Sequence, residues 1–77
     1  MRVIVHFADG ADPRVIEAIS APAALRAVNQ IGAYVMLPLP FGGYEALRLN
    51  VITQLFESAT GRTQAQALEN LIYVEAH

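Results

Sequence analysis

Few residues in this chain are equipped for chemistry. They are His6, His77, Glu75, Ser20 and Ser58, with Gly42-Gly43 as the one glycine pair. The two histidines and the carboxylate make a loose metal-ligand set if the chain ends lie side by side. Three such groups on a sheet face are more often solvated than coordinating, so neither a metal nor a cofactor is expected. His6 as a general base has no nucleophile and no orienting partner at a legible spacing. No catalytic residue is therefore expected, and the chain is not expected to be an enzyme. Ser20 and Ser58 read as cap and loop residues. Gly42-Gly43 is not followed by a helix with a phosphate-loop pattern, so it reads as a hairpin turn.

Composition narrows the partners. The chain has 77 residues, 55% hydrophobic and 16% charged, which predicts one domain over residues 1–77 with a modest core. So much apolar surface is hard to hide in one small core, which predicts a patch covered by another surface. The net charge is −2, and all five cations are arginines scattered along the chain. Nucleic-acid binding needs clustered positive charge, so it is not expected. There is no cysteine, hence no disulfide framework and no thiol nucleophile. The apolar runs are too short to span a bilayer, and no membrane is expected as a partner. The start shows no signal peptide, which fits a cytoplasmic chain, or a secreted one if it is an excised prosegment.

The elements that must position these residues follow from pattern. Arg2 to Phe7 alternates. Val3, Val5 and Phe7 point toward helices, while Arg2, Ile4 and His6 point toward water or a partner. Asp9-Gly10 ends this strand in a turn. Asp12-Pro13 reads as a helix start, with Val15, Ile16 and Ile19 at helical spacing. Ser20 caps a second helix over 21–31, with Pro22 in its first turn, Leu25, Val28 and Ile31 as its buried stripe, and Gly32 as its stop. Ala33 to Leu37 reads as a strand, placed at a sheet edge because Pro38 and Pro40 cannot donate to a ladder. Tyr44 to Val51 reads as a third strand, apolar in neither phase alone, which predicts a bulge or burial on both sides.

Val51, Ile52, Leu55 and Phe56 sit at helical spacing, and 58–62 reads as loop. Thr63 caps a helix through about Asn70, with Ala67, Leu68 and Leu71 inward. The closing run, Leu71-Ile72-Tyr73-Val74-Glu75-Ala76-His77, is rich in β-branched and aromatic residues and reads as a strand beside the first one. The predicted class is α+β. The order β-α-β-β-α-β gives a ferredoxin-like, four-stranded antiparallel sheet with helices on one face.

Four pieces, in order, resemble the propeptide family of subtilisin-like serine proteases, which includes stand-alone propeptide-like inhibitors. They are Val3-Ile4-Val5-His6-Phe7, Ile31-Gly32-Ala33-Tyr34-Val35, Phe41-Gly42-Gly43-Tyr44-Glu45-Ala46 with Leu47 to Leu49, and Ile72-Tyr73-Val74-Glu75. The resemblance implies an inhibitor or intramolecular folding chaperone of a subtilisin-like protease. In that family the open sheet face packs on protease helices, and an acidic group caps their N-termini. The C-terminal residues then occupy the substrate cleft. Carried onto this chain, it implies Ile4, His6 and Tyr73 as face contacts, Glu75 as the cap, and Ala76 and His77 in the cleft. The alternative is a ferredoxin-like homodimeric module binding a small ligand or serving regulation, with Ile4 and Tyr73 buried against their copies.

Overall fold

The computed structural model describes residues 1–76, with side chains described through Tyr73. In chain order the elements are β1 (Arg2–Phe7), β2 (Arg14–Glu17), α1 (Ala21–Val28), β3 (Ala33–Pro38), β4 (Tyr44–Asn50), β5 (Leu55–Gly61) and α2 (Gln64–Ala76). The strands form one five-stranded antiparallel sheet in the order β2-β1-β3-β4-β5. This is an α+β fold, but it is not the four-stranded arrangement expected. The first strand and the closing segment do not pair, because the closing segment is helix.

Residues 13–19 form no helix. Val15 and Ile16 lie in β2, which folds back on β1 with Ile4 opposite Val15 and Val3 opposite Ile16. The Asp9 carboxylate accepts from the Ala11 N–H at 3.0 Å, which turns the chain between the two strands. Two adjacent β-branched residues suit this pleated position better than a helical turn.

Helix α1 begins as its sequence predicts. Ser20 Oγ accepts from the Ala23 N–H at 3.2 Å, and Pro22 occupies the first turn. It ends earlier than expected, at Asn29, whose N–H still bonds to the Leu25 carbonyl and whose left-handed φ of 46° then turns the chain out of the helix. Ile31 therefore leaves the stripe and is 76% exposed.

Strand β3 is central rather than at an edge. The meander β3-β4-β5 continues through a tight turn at 51–54, where Asn50 Oδ1 accepts from the Ile52 and Thr53 N–H groups at 3.0 and 3.2 Å. The run expected as a helical turn and loop is thus strand β5, paired with β4 from Asn50–Leu55 to Tyr44–Gly61.

The helices lie on opposite faces of this sheet, not on one. Strand neighbours share a face and successive residues alternate. Val3, Val5, Phe7, Ala33, Val35 and Leu49 bury against Ala21, Ala24 and Leu25 of α1. Ala46, with Met36, Tyr44 and Ala59, packs against Ala67 and Leu71 of α2. Strand β4 is thus buried on both sides without a bulge: Ala46 faces α2 and Leu49 faces α1.

Helix α2 absorbs the expected last strand. Thr63 Oγ1 accepts from the Gln66 N–H at 3.1 Å, and no glycine or proline follows to stop the helix. Ala67 and Leu71, four residues apart, are both buried, as one helix face requires. Asn70 Nδ2 donates to the Thr60 carbonyl of edge strand β5 at 2.7 Å, and Asn70 Oδ1 accepts from Gln66 Nε2 at 2.9 Å.

The reversal from β5 into α2 is tight. A Cβ on Gly61 falls 2.7 Å from the Gln66 carbonyl carbon and 2.9 Å from Ala67 Cα, both backbone atoms. Gly61→Ala is therefore expected to lower stability by about 1–3 kcal/mol in urea unfolding. Leu71→Ala is expected to cost about 2–5 kcal/mol, since its side chain is fully enclosed under α2. A change of a few tenths for either variant contradicts this packing of α2.

Candidate functional site

The two helices cover the sheet unequally. Helix α1 lies over one face from β1 across to Leu49 and Phe56. Helix α2 covers β4 and β5 of the other face and reaches Met36 of β3. Over β2 and β1 that second face carries no helix among the described residues, and β3 is covered only at its border with α2. Its rows read Arg2 beside Glu17, Ile4 beside Val15, and His6 beside Tyr34. Ile4 is 52% exposed and Val15 60%.

His6 and Tyr34 are stacked, with ring centroids 5.4 Å apart and planes 23° from parallel. Their cross-strand register holds them together, so the pair stiffens the middle of the open area. Met36 follows Tyr34 on the same side of β3, half-buried. Between this row and the start of α2 lies a small hollow of about 190 Å³, lined by His6, Tyr34, Met36, Gln64, Ala65 and Leu68. Farther along the same face, Arg48 donates to Glu57 Oε1 at 2.7 Å from Nε. Both are half-buried beside α2, so this charge pair braces β4 against β5 rather than facing a ligand.

Of the residues expected to contact a partner, the structure brings Ile4 and His6 together on β1. Tyr73 is not beside them. It lies in the second half of α2 and is 65% exposed. Glu75 and Ala76 fall in the last turn of α2, so they do not extend a strand toward a cleft. The described side chains stop short of both, and His77 lies outside the described residues. A metal set of His6, His77 and Glu75 needs paired terminal strands, which do not form. Among the described residues no group of three metal-ligating side chains is present, and no helix is long and apolar enough to cross a membrane.

Val15, Tyr34 and Met36 were not anticipated as site residues. The alternation of β3 carries the signal for Tyr34 and Met36, which share one phase, opposite to Ala33 and Val35. Val15 was hidden by its assignment to a helix. No protein-family model, no curated protein and no solved structure matches the chain.

The stack is open to direct measurement. A double-mutant cycle on His6→Ala and Tyr34→Ala is expected to give a coupling of about 0.5–1.5 kcal/mol in unfolding free energy. A coupling near zero means the rings are adjacent without interacting.

Proposed function

We propose that this chain is a protein-docking module that acts by covering a surface of another protein, not by catalysis. The subtilisin-like protease implied by the sequence resemblance is the partner class to test. One observation carries the docking reading: the area over β2 and β1 has no helix among the described residues and exposes Ile4 and Val15 side by side. The other face of the same strands is closed by α1. An apolar pair on a rigid, hydrogen-bonded base needs little ordering to bind, which favours docking of a preformed surface. The contact rests on Ile4, His6 and Val15. Glu75 and Ala76 sit in a helix, so the reading uses the sheet face and not an extended strand end in the substrate cleft.

A broad-specificity subtilisin titrated with the chain is expected to be inhibited slowly and near stoichiometry, with the chain surviving on a gel. Ile4→Lys and Val15→Lys change exposed positions and are expected to keep the fold, checked by circular dichroism. Each should weaken inhibition about tenfold or more, the equivalent of about 1.4 kcal/mol. Digestion of the native chain without a lag overturns the protease as partner.

A second reading, a homodimer, has its own supporting feature. Arg2 and Glu17 stand opposite each other at one end of the patch. A two-fold axis there sets each against its opposite charge in a second copy, with Ile4 and Val15 meeting beside it. This differs from a dimer built on Ile4 and Tyr73, since Tyr73 belongs to α2. Light scattering that gives a dimer for the native chain, and a monomer for Val15→Lys, favours this reading over the protease.

A further inference from the structure

The seam between β1 and β3 is joined along only part of its length. Each strand has six residues, yet only His6–Tyr34 and Phe7–Ala33 pair across it. The same register sets Ile4 opposite Met36 and Arg2 opposite Pro38, but no ladder pair forms at either place. Pro38 has no N–H to give, so the ladder has no donor from β3 at that end. Beyond the His6–Tyr34 stack, the strands border a cavity of about 440 Å³. Val3 and Val35 line it from the α1 side, with Ala21 of α1 itself, while Ile4, Met36 and Gln64 line it from the other. It is a slot through the sheet, narrow at His6–Tyr34 and open toward Arg2 and Pro38.

The slot differs from an ordinary apolar groove in what its walls present. Met1 and Ala18 exchange two main-chain bonds, of 2.8 and 3.0 Å, at the start of the β1–β2 hairpin. In an antiparallel ladder such closely bonded pairs recur at every second residue. Val3 and Val5 therefore bond toward β2, and the main-chain groups of Arg2 and Ile4 turn toward β3. The Ala8 N–H donates to the Gly32 carbonyl at 2.9 Å, which sets the same alternation on the other seam and turns Met36 toward β1. Hydrogen-bonding edges with a two-residue repeat thus face each other across a space lined mostly by apolar side chains.

We infer that this slot takes an extended peptide segment of a partner protein, uncharged and with small or β-branched side chains, as an inserted strand. An extended main chain is the occupant whose donors and acceptors repeat at the spacing of both walls. The side chains around the slot are apolar apart from Arg2 at its mouth, His6 at its closed end and the uncharged Gln64 on the α2 side, so a charged insert finds no counter-ion inside. Because β1 and β3 are antiparallel, the segment runs antiparallel to one wall and parallel to the other. The slot admits about three or four residues at a strand's rise, since the ladder closes at His6. This deepens the docking reading, and rests on it only in placing the partner on this half of the sheet.

The test uses the full chain, isotope-labelled, with an end-capped pentapeptide of alternating valine and threonine as probe. The control is the same peptide N-methylated at alternate amides. Amide hydrogen exchange is followed residue by residue. The expected result is slow exchange at Ile4 and Met36 with the plain peptide, by about tenfold, and no slowing with the methylated one. Exchange unchanged at millimolar peptide overturns the proposal. So does equal protection by both peptides, or protection of both amides before any peptide is added. Protection that appears with rising protein concentration alone assigns the slot to a second copy and also overturns it. Failure here alongside protease inhibition that is sensitive to Ile4→Lys leaves the docking face standing, so the two readings fail separately.

Discussion

The fold depends on the main-chain pairing of β4. This strand is bonded on both sides, to β3 from Tyr34–Arg48 through Pro38–Tyr44 and to β5 along its entire length. It also carries apolar groups on both faces, Ala46 toward α2 and Leu47 and Leu49 toward α1. A strand of this kind must be interior, and it forces cover on both sides of the sheet. With two helices available, one goes to each face: α1 packs on a cluster drawn from all five strands, whereas α2 lies along β4 and β5. The bare region over β2 and β1 follows from that placement of α2 at the β5 side of its face. Small size therefore accounts for both the modest core and the exposed apolar pair.

What was legible in the residues was local. The Arg2–Phe7 alternation placed Ile4 and His6 on the uncovered face, because period-two patterning depends only on the strand itself. Ser20 with Pro22, and Thr63, marked helix starts through their own hydrogen bonds. The errors came where tertiary context outweighed propensity. Leu71-Ile72-Tyr73-Val74 is strand-like in composition, yet Leu71 sits one turn beyond Ala67 and is held by the same pocket of α2. Leu55–Gly61 contains glutamate, alanine and glycine, weak strand formers, and is strand because β4 offers it an open ladder.

The proline reading was half informative. Pro38 does not put β3 at the edge of the sheet, since β4 pairs with it there. On its other side, however, β1 fails to pair at that end, so the missing donor makes a local edge inside the sheet. The physical rule held for one side of one strand, a finer grain than placement of the whole strand. The same lesson applies to the site. Ile4 and His6 could be assigned to a face, but their neighbours Val15 and Tyr34 depended on which strands lie beside β1, and that order arises only in three dimensions.

Strand β5 is a long outer strand with few charges, and Asn70 reaches over to one of its carbonyls. An amide so placed acts as a stopper. Endless stacking of one molecule's rim on the next, the route to amyloid, requires a run of free carbonyls and N–H groups in sequence. A single side chain, itself steadied by Gln66, interrupts that run at the Thr60 carbonyl. In a chain this greasy, one asparagine one helical turn from the seat of α2 thus makes the β5 rim a poorer template.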